Sequence, residues 1–262
     1  MKIFTILICI ALIAFACTQK PSSASEEKTH NAAPDLITEN VKGNVQQIVT
    51  ETYLIDSSTG KMGKLESKST EVYDENGYAT SYNNYTANDS ATMLTKDDRD
   101  ANGFVTGIVT TKNDKPSSSM KITVDSMGKY TSAVSYDSTS KLDVYYDEIG
   151  TNEFGEVTGA KGHHADSTMK MSFTNNFDSV YYIGGESKDS VGKVTYSSVL
   201  KLDDKKNPVQ MDETNVKKDS TTKTTTTYTY DKWDDKGNWT QQTTTENGKP
   251  KKIIVRTITY KQ

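Results

Sequence analysis

Cysteine is nearly absent: Cys9 and Cys17 are the whole supply of a 262-residue chain, and both sit in a stretch that reads as an export leader. The body that follows has no thiol, which excludes disulfide staples, a thiolate nucleophile and a cysteine metal site. Histidine is almost as scarce, with His30, His163 and His164 the full set. Neighbours on a strand point to opposite faces, so His163 and His164 do not readily grip one ion. Asp166 joined to either makes a thin ligand set, and both histidines read as surface or loop residues. Apolar residues make up 33% of the chain, below the about 45–50% of typical globular domains, so each element can supply one apolar face and no more. The net charge of −4 leaves no basic stripe for a phosphate polymer. The one local cluster, Lys249-Pro250-Lys251-Lys252, adjoins an Asn-Gly turn and reads as a solvated hairpin tip. No nucleic-acid partner is expected. The G-x-S-x-G, H-E-x-x-H and G-x-x-x-x-G-K-[ST] patterns are missing as well.

What is present begins with an address. Lys2, an uncharged apolar run over residues 3–13 and small residues before Cys17 have the layout of a secretory signal peptide, residues 1–16. The run is shorter than the about 20 residues of a membrane-spanning helix. Ala14-Phe15-Ala16-Cys17 resembles the bacterial lipobox, with Ala14 where leucine is usual. That resemblance implies cleavage before Cys17, lipidation of its sulfur, and a chain exported and anchored to a bacterial envelope membrane, the outer membrane being the expected one. Residues 18–34 show no apolar period and are rich in Ser, Ala, Pro and charge, the composition of a flexible tether. The expected organisation is a signal peptide (1–16), lipidated Cys17 with its tether (17–38) and a single β-repeat domain (39–262).

That domain is punctuated at a regular interval. Turn centres fall at Gly77 (DENG), Gly103 (DANG), Gly128 (DSMG), Gly155 (NEFG), Val180 (FDSV), Asn207 (DKKN) and Gly237 (DDKG), spaced by 26, 25, 27, 25, 27 and 30 residues. A second set of turns lies between them, as at Asn113-Asp114, Asp137-Ser138, Asp189-Ser190 and Asn247-Gly248. Asp and Asn side chains bond their own backbone two residues on, and Gly accepts the positive φ that hairpin turns require. Between turns the chain alternates with period two, as in Met120-Lys121-Ile122-Thr123-Val124 and Met169-Lys170-Met171-Ser172-Phe173, the pattern of half-buried strands. Consecutive hairpins pair in order, and a sheet this large curls or closes. The expected fold is all-β: an antiparallel meander of roughly fourteen to sixteen strands, strongly curved, open-sided or barrel-like.

Tyr228-Thr229-Tyr230-Asp231 running into Asp234-Asp235-Lys236-Gly237-Asn238-Trp239, with Asn247-Gly248-Lys249 and Arg256-Thr257-Ile258-Thr259-Tyr260 beyond it, resembles the tyrosine-aspartate (YD) repeats of the Rhs family. The likeness runs loosely from about Val41 to the end of the chain, and Gly43-Asn44-Val45 through Tyr53 is similar to the first strand of lipoproteins of this type. It implies stacked hairpins and no particular activity. FDSV lacks the glycine, DKKN ends in Asn207-Pro208 and NEFG begins with Asn, so the repeat is irregular.

Chemistry-bearing candidates are few. Ser-x-x-Lys, similar to the nucleophile motif of penicillin-interacting enzymes, recurs along the chain, as at Ser118/Lys121 and Ser220/Lys223. The helix start and the SDN and KTG partners it needs are missing. Asp234-Asp235 sits in a turn where water keeps both carboxylates ionised. Asp98, Asp100 and Asn102 match the opening of a calcium loop, but its twelfth position is Val109 where a glutamate belongs. Asp-Ser followed by a small, aliphatic or threonine residue recurs at Ser90, Ser126, Ser138, Ser167, Ser179, Ser190 and Ser220. It resembles an O-glycosylation sequon of some exported bacterial proteins, and it is equally good turn chemistry. No cofactor is implied and no enzyme is expected. The function this composition favours is a lipid-anchored binding or scaffold module meeting an envelope glycan, peptidoglycan or another envelope protein. The alternative is a lipid or lipoprotein carrier. The lining of the concave face separates the two.

Overall fold

The computed structural model describes residues 32, 34–87, 91–217 and 220–262. A one-turn helix, α1 (Asp35–Thr38), precedes sixteen strands. In chain order these are β1 (Val45–Ile55), β2 (Met62–Tyr73), β3 (Ala79–Tyr85), β4 (Ala91–Arg99), β5 (Val105–Lys112), β6 (Lys115–Val124), β7 (Tyr130–Asp137) and β8 (Leu142–Thr151). The second half is β9 (Val157–His163), β10 (Met169–Asp178), β11 (Tyr181–Asp189), β12 (Val194–Leu202), β13 (Pro208–Lys217), β14 (Ser220–Trp233), β15 (Trp239–Glu246) and β16 (Lys249–Tyr260). Each strand pairs with its neighbours in sequence, and β1 pairs antiparallel with β16 from Val45↔Tyr260 to Leu54↔Lys252. The meander is therefore a closed barrel with no free edge.

The turns that set the repeat share one construction. In the β2–β3 turn, Asp74 Oδ1 accepts the N–H groups of Asn76 and Tyr78, both at 2.9 Å, while Gly77 N–H donates to the Asp74 carbonyl at 3.1 Å. The same side-chain bonds recur at Asp100, Asp125, Asn152, Asp203 and Asp234. One carboxylate or amide thus satisfies two backbone donors that the ladder leaves over, which is why the residue type repeats where the sequence does not. The irregular units keep this geometry: Asn152 caps as Asp does, and Lys206 takes the left-handed φ of 68° that glycine takes elsewhere. Only FDSV differs, closing as a tight two-residue loop with Ser179 at φ 60°.

The first turn family and the C-terminal end of β16 lie at one end of the barrel, where residues 34–44 cross the mouth. Leu36 and Val41 pack there with Val45, Ile48 and Tyr73. Residues 35–38, expected at the end of the tether, are helical and docked, with Leu36 N–H on the Gly77 carbonyl and Ala32 N–H on that of Asn102. On the far side Asn40 Nδ2 donates to the Lys205 carbonyl at 2.8 Å, and Lys42 N–H donates to Asn238 Oδ1 at 2.7 Å. The segment ties together turns from separate arcs of the rim.

Gly103 and Gly192 separate backbone strain from packing. Both have left-handed φ, 84° and 81°, but a Cβ on Gly103 meets the Tyr78 ring at 2.3 Å whereas one on Gly192 meets nothing within 4 Å. Gly192→Ala is expected to cost about 1 kcal/mol and Gly103→Ala about 3 kcal/mol or more, measured as the difference in urea midpoints at constant slope.

Candidate functional site

Strand registers assign each side chain to the lumen or to the outside. Ile48 on β1 stands opposite Ile258 on β16 and Glu71 on β2. That face meets α1, where Tyr73 Oη donates to Glu39 Oε1 at 3.1 Å, so it is the lumenal one. Around the ring the same face carries Thr95 and Asp97, Ile108, Met120, Ala133, Tyr146, Ala160, Phe173, Ser198, Glu213, Thr226, Gln242 and Arg256. Exposure agrees: Val144 and Tyr146 on the inner face are 4% and 7% exposed, whereas Val109 and Val199 on the outer face are 45% and 56% exposed.

The outer face is charged. Glu51, Lys68, Lys96, Asp98, Lys121, Asp147, Lys161, Glu186, Lys201, Asp212 and Lys223 all point outward from mid-strand positions. Several pair across strands, as in Lys161–Glu148 at 2.6 Å and Lys170–Asp143 at 3.0 Å. A lipid-facing barrel wall needs an apolar band, and a basic side chain at the bilayer midplane costs about 2–4 kcal/mol. The eleven outward charges leave this wall without the apolar band that a bilayer requires. No helix among the described residues is long and apolar enough to cross one either.

The lumen is two-sided. Met120, Ile122, Ala133, Val144, Tyr146, Ala160 and Phe173 form an apolar arc on β6–β10. The arc across from it carries Glu213 and Asn215 of β13, Thr222, Thr224 and Thr226 of β14, and Gln242 and Thr244 of β15. Beneath α1, between the two, lies a cavity of about 220 Å³ whose walls include Tyr182, Leu200, Tyr230, Trp239, Gln242 and Arg256, with Thr38, Glu39 and Asn40 as its roof. Tyr230 and Trp239 stand 5.8 Å apart at 51°, and the Arg256 guanidinium lies 3.9 Å over the Trp239 ring. Tyr230 is fixed by donating to the Pro208 carbonyl at 2.7 Å, and burial pushes its hydroxyl up to about 12. The arrangement offers aromatic faces, an amide and a guanidinium to one ring-sized guest.

Two acid–arginine clasps hold the roof. Arg99 Nη2 donates to Asp35 Oδ2 at 2.9 Å, with Asp97 3.6 Å away, and the Ala79 N–H also donates to Asp35. Arg256 Nη2 lies 4.0 Å from Glu39 Oε2, and Tyr73 Oη bridges Glu39 to Glu71, 2.6 Å from Glu71 Oε2. Burial, opposed by Arg99, pushes Asp35 up to about 6. Burial, followed by the neighbouring Glu71, lifts Glu39 well above the usual carboxylate range.

The sequence-derived candidates fall elsewhere. Cys17 and Ser90 lie outside the described residues. Ser126, Ser138, Ser167, Ser179, Ser190 and Ser220 are all exposed, Ser220 at the first residue of β14 and the others within turns. Asp98 is on the outer face opposite Gly107, while Asp100 Oδ1 is occupied by the N–H groups of Asn102 and Phe104. The three calcium candidates therefore do not converge. Among the described residues no group of three or more His, Cys, Asp or Glu side chains is placed to hold a metal. His163 sits on the outer wall with Nε2 3.0 Å from Asp147 Oδ1, and His164 is exposed in the next turn. Nothing in the sequence marked Asp35, Glu39, Arg99 and Arg256 as partners: Arg99 stood between two turn acids and Arg256 in a repeat strand.

Among solved structures the chain is similar to a porin-like protein from Bacteroides uniformis ATCC 8492, with a TM-score of 0.54 and 15% identity over 82% of this chain and 96% of that one. At that identity the likeness is one of fold. A TcdB2-TccC3-Cdc42 structure matches at a TM-score of 0.30 and 12% identity, over 79% of this chain and 14% of that one. No protein-family model and no curated protein matches the chain, so the resemblance to YD repeats stands on the turn residues alone.

The outer wall gives a direct test. Chain expressed from Thr18 without a lipid is expected to stay in the aqueous phase in liposome flotation and to add no conductance to planar bilayers. Stable channels would contradict the assignment of faces.

Proposed function

We propose that this chain is a non-enzymatic, lipid-anchored envelope receptor whose lumen, and not its outer wall, binds a hydroxylated ligand of the glycan class, peptidoglycan fragments included. The observation that carries this reading is the polarity of the barrel: charge outside, and inside an aromatic, amide and guanidinium cavity flanked by a threonine-rich wall. Sugar rings offer apolar faces for aromatic contact and hydroxyls for polar side chains, and amphipathic rings suit such mixed surfaces. At about 220 Å³ the cavity is below the about 300–1,000 Å³ of drug-sized sites, which fits one ring or the end of a polymer. The apolar arc on β6–β10 favours the carrier alternative. An acyl chain there, however, would face the glutamate, asparagine and threonines of β13 and β14 across the lumen, groups that lose hydration for no return.

Ala32 lies at the plugged end, so an anchor on Cys17 places that end toward the membrane, within the about 50 Å that the intervening residues can span. The opposite mouth then faces away from the bilayer. Calorimetry with soluble oligosaccharides and muropeptides is the test. Binding is expected, and Trp239→Ala should weaken it about tenfold, equal to about 1.4 kcal/mol, with the far-ultraviolet spectrum unchanged. Co-purified fatty acyl chains would favour the carrier, and no binding of either class would overturn the receptor.

A further inference from the structure

Residues 34–44 are seated by good apolar contacts and incompletely bonded ionic ones. Leu36 and Val41 are buried in the cluster at the rim. Yet each member of the two clasps leaves a buried polar atom without a hydrogen-bond partner: Asp35 Oδ1, Arg99 Nε, Glu39 Oε2 and Arg256 Nε. A buried charged group with an unmet atom is costly, and removing ions from water is repaid only when geometry and hydrogen bonding are complete. The surroundings add to the imbalance. Asp35 is faced by Arg99 and Asp97 of β4, Glu71 of β2 and the Ala79 N–H. Glu39 is faced by Tyr73 and Glu71 of β2, Arg256 of β16 and Asp35 at the start of the preceding helix. Four carboxyl groups thus share two guanidinium groups in one largely buried seat.

We propose that residues 34–44 are a releasable stopper, held in the barrel mouth in acid and let go as Asp35 and Glu39 ionise toward neutral pH. This stands apart from what the lumen binds, because the segment moves with or without a ligand. Its consequence for the lumen is direct: Thr38, Glu39 and Asn40 roof the cavity, so withdrawal uncovers Trp239, Gln242 and Arg256 and opens the second mouth of the barrel.

The direction follows from proton linkage. In the seated segment Asp35 is raised from 3.8 to about 6 by burial, and in the released segment it returns to its ordinary range. The stabilisation from holding its proton is complete below the ordinary value and is lost as pH rises through about 6. Glu39, raised further by burial and by Glu71, extends that loss to higher pH. For Asp35 alone a rise of about two units changes the seated-to-released ratio about 100-fold.

Hydrogen exchange read by mass spectrometry on the whole protein, between pH 4.5 and 8 and corrected for the intrinsic pH dependence of exchange, tests this. Peptides covering residues 34–44 should lose at least about 30-fold in protection between pH 4.5 and 8, the share due to Asp35 falling below about pH 6, while β6, β7 and β8 keep theirs. Asp35→Asn, a neutral copy of the protonated form, should remove the part of the transition below about pH 6 and leave the part carried by Glu39, Glu39→Gln should do the reverse, and the double variant should keep the segment protected at pH 8. Protection of the segment that is flat with pH, exchange only in step with the strands, or an Asp35→Asn profile matching the unaltered protein would each overturn the stopper. If neither variant folds, the profile of the unaltered chain decides.

Discussion

The backbone ladder between β1 and β16 is the contact on which everything else rests. It joins residues 45–54 to residues 252–260, the two extremes of the described barrel. Without it the sheet would expose two long edges, each a template for pairing with another chain. With it every strand has two neighbours, and the backbone hydrogen bonds are satisfied irrespective of side chains. This is how a chain with 33% apolar residues reaches a closed fold: the ladder needs no thick core, and one face of each strand can be given wholly to solvent. The seam also brings Arg256 of β16 next to the tyrosine and glutamate of β2, so closure builds one half of the seat for residues 34–44.

Closure by itself leaves the polarity of the two faces open, and the polarity decides what kind of barrel this is. A porin-type wall turns apolar residues toward lipid and polar residues toward the channel. Here Lys121, Lys161 and Asp212 face out while Met120, Ala160 and Met211 face in. The likeness to a porin-like protein is therefore one of fold, and this chain's faces have the opposite sense to a lipid-facing wall. Period-two alternation made the alternation itself legible. Which half of it faced inward depended on closure, a contact between residues more than two hundred positions apart.

The comb of turns was the most legible part of the fold, because each tooth is local: an Asp or Asn whose side chain bonds N–H groups two and four residues on. Departures such as Asn152 and Lys206 did not break the geometry, since capping needs only an oxygen and the left-handed position tolerates a non-glycine residue at some cost. The candidate site was poorly legible for the opposite reason. Asp35 opens a helix of one turn and Glu39 follows its last residue, too short a stretch for any period to show. Arg99 lies inside Asp98-Arg99-Asp100, where the flanking acids resemble a calcium loop. The strand sends Asp98 outward and Arg99 toward the plug, and Asp100 caps the turn. Adjacent residues that look like one ligand set are divided by the strand's two-fold alternation.

A barrel of about sixteen strands is too wide to be filled by its own side chains, so its interior needs something else or remains wet. Residues 34–44 are that element at one end. Had the seat been sealed by leucines alone, apolar burial would have made it permanent. Instead Leu36 and Val41 are combined with Asp35 and Glu39, so apolar attraction opposes the cost of burying charge. Each buried apolar side chain is worth about 1.5–3 kcal/mol, and a buried acid whose affinity for its proton rises by about two units forgoes nearly as much when it ionises. The two contributions are of equal order at the mouth that residues 34–44 cover. The state of the mouth is thus decided by a difference of a few kcal/mol, while the wall around it is held by a ladder running the full length of every strand.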